Sequence, residues 1–180
     1  MTTTTIYDPV ARSFHGVMLV MILGLLAVGL YMTDLEPSPD KWQLYGLHKA
    51  IGMIALALIV ARILWRATHQ PPPALATHAQ WERRLAGLVH GLLYFGMVAM
   101  PVSGYVMSSA GGHGISLFGL VDIPLLIQKN QAVGMVARTV HEFAGYALMA
   151  AIALHVAGAV KHAIIDRDPT LGRMFRWLRR

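Results

Sequence analysis

Histidine is the residue type in this chain with most chemistry to offer. Of the nine histidines, His15, His48, His90, His141, His155 and His162 fall within or at the edge of long apolar stretches, while His69, His78 and His113 sit in loop-like sequence and are assigned no role. An imidazole inside a membrane-length apolar helix is costly and marks ligand, proton or interhelical duty. The ordinary account of one such histidine is a hydrogen bond between helices; six in four stretches strain that account. His141 and His155 are fourteen residues apart. That is close to four helical turns, which puts both on one face, roughly 21 Å apart at a rise of 1.5 Å per residue. Two stacked sites on one helix follow, each needing a partner from elsewhere.

The elements that position these residues are legible from composition. The chain has 180 residues, 56% hydrophobic and only 13% charged, with mean hydropathy +0.52; soluble domains carry about 25% charge. Four apolar stretches of membrane-spanning length are predicted, at about 14–31, 44–65, 85–107 and 137–164. The expected fold is therefore all-α: one integral membrane four-helix bundle. The first stretch reads as a retained span, because no clustered basic segment precedes it and no small-residue cleavage site follows. The absence of cysteine excludes disulfides, thiolate-held clusters, covalent c-type haem and thiol catalysis.

The connections differ in character. Pro37 and Pro39 end the first span in an acidic loop with Asp34, Glu36 and Asp40, and Pro71–Pro73 mark an extended surface linker. Pro101 and Gly104 are expected to kink or thin the far end of the third span. The long glycine-containing connection between spans three and four, with apolar runs too short to cross, is expected to form a short interfacial helix or re-entrant flap over one end of the bundle. The arginine-rich tail is expected to lie on the membrane as a basic amphipathic segment. Most arginines fall in the N-terminus, the second connection and the tail, which places both termini in the cytoplasm. The net charge of +6 thus reports topology and does not call for nucleic acid.

Depth pairs the histidines only partly. His48 and His141 both lie about one turn inside the non-cytoplasmic face. Each begins a His-x-x-x-Gly pattern, with Gly52 and Gly145, that would let a flat ligand approach the backbone. His15 opens the first span on the other side; its partner could be His155, His162 or His90. Structural zinc favours four ligands, usually with thiolates, and a metal path would add carboxylates. A porphyrin iron needs two axial imidazoles and an apolar slot between helices. Two haem b groups fit this donor set best, and methionine ligation is not needed.

At this point an ordered set of motifs resembles the bacterial cytochrome b561 family of small, dihaem, four-helix membrane proteins. These are Ser-Phe-His ending at His15, Leu-His-Lys-x-x-Gly around His48, the Arg62–Trp65–Arg66 exit, the proline-rich linker, Leu-x-His at His90, Pro-Val-Ser-Gly-Tyr at Pro101–Tyr105, Leu-Phe-Gly-Leu-x-x-Ile-Pro at Leu117–Pro124, and His-Glu-x-x-Gly and Leu-His around His141 and His155. The resemblance covers nearly the whole chain. It implies that His15 pairs with His155 on a cytoplasmic-side haem and His48 with His141 on a periplasmic-side haem, in the bacterial inner membrane. It also implies electron transfer between a periplasmic donor and membrane ubiquinone; one member type oxidises superoxide.

Superoxide is an anion, and Lys49, Lys129 and Arg138 are candidates for an electropositive approach on the periplasmic side, opposed by the acidic first loop. Propionate or lipid headgroup pairing is the competing account of these three cations. His90 and His162, titratable near neutrality, are candidates for a quinone or proton site on the inner side. The expected partners are membrane lipid, quinone, and superoxide or a periplasmic redox protein. Two other readings stand beside this oxidoreductase: a haem-bearing electron-transfer or anchor subunit of a membrane dehydrogenase or hydrogenase system, and a metal or proton transporter using the imidazoles without haem.

Overall fold

Each long helix begins where a local acceptor closes its first turn. The Asp8 carboxylate accepts from Ala11 N–H at 2.9 Å, the Ser38 hydroxyl from Lys41 N–H at 3.2 Å, and the Asn130 side chain from Val133 N–H at 3.1 Å. At the third helix the order is reversed, with the Glu82 carboxylate reaching back to Ala79 N–H at 2.8 Å. These contacts satisfy amide groups that no helical carbonyl can reach. Pro9 and Pro39 sit at first-turn positions where a missing N–H costs nothing.

The resulting helices in the computed structural model, which describes residues 6–178, are α1 (Pro9–Asp34), α2 (Pro39–Thr68), α3 (Gln80–Ala110) and α4 (Gln131–Lys161). All four are long and apolar enough to cross a membrane. They run past the expected apolar stretches at most ends, because the capped turns lie in polar sequence. Val20, Leu64, Phe95 and Phe143 are all more than 60% exposed. Those outward faces need lipid as their solvent.

Packing within the bundle is uneven. The closest pairing is α3 with α4, followed by α1 with α2 and α2 with α3. Small residues allow the first: a Cβ on Gly96 would meet Leu148 at 3.0 Å, and Gly145 lies against Met100. Ties at one end fix the antiparallel order. Trp65 Nε1 donates to Asp8 at 3.1 Å, joining the end of α2 to the start of α1, and Lys161 pairs with Glu82, joining the end of α4 to the start of α3. Ile59, Met18, Ala50 and Ala151 make up part of the core.

The connection between α3 and α4 excludes one of its two expected forms. Between α3 and α4 there is no interfacial helix. β1 (Ile115–Leu117) and β2 (Val121–Ile123) pair antiparallel, Ile115 opposite Ile123 and Leu117 opposite Val121. Phe118 and Gly119 take φ of 55° and 75°, and Leu120 N–H donates to the Leu117 carbonyl at 3.0 Å. Two successive positive φ values make a turn of the hand that suits a twisted hairpin and stops a helix. β1 rests on α2 with Ile115 buried, so the segment does cover one end of the bundle. Tyr105 OH anchors its far end, donating to Pro124 O at 2.8 Å and accepting from Leu126 N–H at 3.0 Å.

The tail packs against the end of the bundle. One π-helical turn (His162–Asp166) extends α4, and α5 (Thr170–Met174) then folds back under the bundle. Tyr7 N–H donates to Arg173 O at 3.2 Å, and the Phe175 ring stands 5.4 Å from that of His15. Packing holds this part of the tail; Arg179 and Arg180 lie outside the described residues. Helix α3 runs on through Pro101.

Candidate haem centres

The fold brings the buried histidines together in two pairs. His48 on α2 faces His141 on α4 with ring centroids 6.4 Å apart, and His15 on α1 faces His155 on α4 at 6.2 Å. An ion held at about 2 Å from each imidazole nitrogen, the usual metal–imidazole length, sets centroids roughly 6 Å apart. Nδ1 of His15 and Nδ1 of His48 are buried without a protein partner. Buried imidazole nitrogens are rarely left so in a finished site.

His141 is the best defined of the four. Its Nδ1 lies 2.8 Å from Met100 O and 3.1 Å from Ser103 Oγ. Ser103 Oγ itself donates to Ala99 O at 2.6 Å, so the ring N–H goes to the Met100 carbonyl. That leaves Nε2 with its lone pair free, the tautomer a metal requires, and the carbonyl raises its basicity. A Cβ on Gly104 would stand 3.1 Å from His141 Cε1, and one on Gly29 would stand 3.3 Å from His48 Cε1. Both rings therefore rest against bare backbone. Beside His48 an apolar cavity of about 240 Å³ opens between α1 and α2, lined by Val20, Gly24, Val28, Leu47 and Ile51 among others. These residues fit an apolar macrocycle with two axial imidazoles.

Residues 6–177 match the prokaryotic cytochrome b561 family. The chain belongs to that family. It is 33% identical to cytochrome b561 homolog 2 of Escherichia coli (strain K12) over 170 residues, covering 93% of this chain and 90% of that protein. Cytochrome b561 homolog 1 of the same organism is 26% identical over 71% of the chain and 72% of its own length. A probable superoxide oxidase CybB of Yersinia pestis is 27% identical over 87% and 89%. This cytochrome b561 is thus a multi-pass bacterial membrane protein of electron transfer, and haem b is its cofactor.

The other candidate residues divide. His90 stands edge-on to His155 with centroids 5.1 Å apart and bonds the Ala86 carbonyl of its own helix. His162 turns away from both pairs to His78, Asp166 and Asp168. Lys49 is not free: its Nζ donates to Ser108 Oγ at 3.1 Å and Gly114 O at 3.2 Å. Lys129 lies across Gly112, bordering the same turn, while Arg138 is exposed on α4. Of the two glycines in the His-x-x-x-Gly pattern, Gly52 has open space beside it. Gly145 is turned toward α3.

Sequence reading missed Gly29 and the Met100–Ser103 acceptor pair. In the sequence Arg62 reads only as part of the basic exit of span two; its Nε donates to Tyr94 OH at 3.2 Å, a contact between α2 and α3. A small residue on the inner face of a span was the only signal for the first. Gly104→Val should crowd the His141 ring, costing about 1–3 kcal/mol as overpacking does. The expected outcome is lower haem content at that centre, read by redox titration, with Gly46→Ala, exposed and without a neighbour within 4 Å, as the silent control.

Proposed function

We propose that this cytochrome b561 carries two haem b groups and moves electrons from superoxide on the hairpin side to ubiquinone at the end bearing the termini. The observation that carries the reading is the pair of facing imidazole pairs, at 6.4 Å and 6.2 Å, one toward each end of a membrane-length bundle. His48 and His141 would hold one haem, and His15 and His155 the other. The bound irons supply reversible one-electron chemistry. The chain's part is to hold, space and shield them.

On the hairpin side, Lys49 brings a positive charge next to His48 at the base of the flap. With Lys129 and Arg138 it raises the local concentration of a small anion. At the other end His90 adjoins His155 and is placed to donate a proton to a reduced quinone, while His162 lies nearer the polar tail. The arginines of the N-terminus, linker and tail share this end, which supports a cytoplasmic position for both termini in the inner membrane.

Purified, haem-replete protein given ubiquinone and a steady superoxide flux is expected to form quinol faster than superoxide dismutates unaided. If quinol appears only after a separate redox protein is added, the chain is a haem-bearing electron-transfer subunit instead. Lys49→Gln should slow the superoxide reaction several-fold at low ionic strength. The difference should shrink as salt screens the charge.

A further inference from the structure

We propose that His78, His162 and Asp168 form a divalent-cation site of the zinc class, clasping the linker between α2 and α3 to the chain after α4. His78 comes from the linker and the other two from the turn after α4, and their ligand atoms lie within 4.8 Å of one another. His78 Nε2 and His162 Nδ1 approach the same oxygen, Asp168 Oδ2, at 2.8 Å and 3.1 Å. Two imidazole nitrogens close to one carboxylate oxygen are the makings of a three-ligand zinc centre open at its fourth position.

The surroundings favour a dication. The side chains of His78, His162 and Asp168 are only 13%, 14% and 11% exposed, so the site is shielded yet reachable. Asp166 Oδ2 lies 2.7 Å from His162 Nδ1, offering a second carboxylate. Asp166 and Asp168 thus bring two carboxylates to His162, and Lys161 pairs with Glu82 and Asp166 close by.

The backbone is shaped to make this arrangement. Arg167 takes φ 54°, a left-handed conformation that is strained for a non-glycine residue. The N–H groups of Arg167 and Asp168 both return to the His162 carbonyl. That reversal sets Asp166 and Asp168 on either side of the bend with both carboxylates at His162. The Asp168 carboxylate is further braced by Thr170 N–H at 2.8 Å. The two rings lie nearly parallel, 24° apart with centroids at 4.1 Å, so binding turns one of them about its χ2.

The site stands on side-chain placement alone and does not depend on the electron-transfer reading. The test is calorimetric titration of tag-free, haem-replete protein with Zn²⁺. One ion per chain in the micromolar range, with a rise in thermal midpoint, is expected. Asp168→Asn and His78→Ala should each weaken binding at least tenfold without changing the visible haem spectrum, and His113→Ala should not weaken it. Binding no tighter than millimolar, an affinity unchanged in Asp168→Asn, or full competition by Mg²⁺, which imidazoles bind poorly, would each overturn the site. Asp168→Asn preserves shape and keeps the test valid should His78→Ala fail to fold.

Discussion

On the proposed two-haem assignment, replacing His48 by alanine is expected to leave the protein with one haem b. The His48 ring makes no hydrogen bond through its buried Nδ1, so its removal breaks no protein hydrogen bond at that atom. What it removes is one side of a 6.4 Å imidazole pair. His141 alone would remain, still fixed by Met100 O at 2.8 Å. One axial imidazole holds an iron less firmly than two. The other pair draws on α1 and on α4 fourteen residues further along, roughly 21 Å away at 1.5 Å per residue, and shares no side chain with the first. Distant sites without common partners behave additively. Haem quantitation should therefore fall by half, and a redox titration should show one wave. Loss of both haems would mean that the centres are not independent, or that the histidines pair differently.

His155→Ala carries the second large effect. It should empty the centre near the termini while leaving the hairpin-side centre intact. Superoxide would then still reduce the protein, giving a single b-type reduced spectrum, but quinol formation should drop to the uncatalysed background. The outcome also decides between neighbours. His155 faces His15 at 6.2 Å and His90 at 5.1 Å. Iron bound on both sides at about 2 Å suits the longer separation, and His90 already has an acceptor in the Ala86 carbonyl. His90→Ala should accordingly keep both haems. If His90→Ala loses a haem and His155→Ala does not, the assignment at this end is wrong.

How far the sequence carries differs from residue to residue. The four spans were legible because lipid-facing helices must be apolar over a set length, and composition alone reports that. Histidine depth was legible because position along a helix is a count at a constant rise. Which imidazole faces which was not. Rotation about each helix axis is set by packing, and helices apolar on nearly every side carry little periodic signal to report it. So His15 could be matched to His155, His162 or His90 until the α3–α4 contact, through Gly96 and Leu148, had turned α4 and placed its histidines.

The same limit explains the misreadings. The connection between spans three and four was expected as a short interfacial helix or a re-entrant flap, and two positive φ values at Phe118 and Gly119 exclude the helix and make a hairpin. Only the glycine announces such a conformation in sequence. His78 was set aside as a loop residue because its partners, His162 and Asp168, lie more than eighty positions on. By itself the sequence determined an all-α membrane bundle with imidazoles at two depths, since hydrophobic length and helical rise are local properties. Tertiary structure alone decided the facing pairs, the glycine-backed rings and the linker–tail clasp, since each depends on contacts between segments that local propensity does not encode.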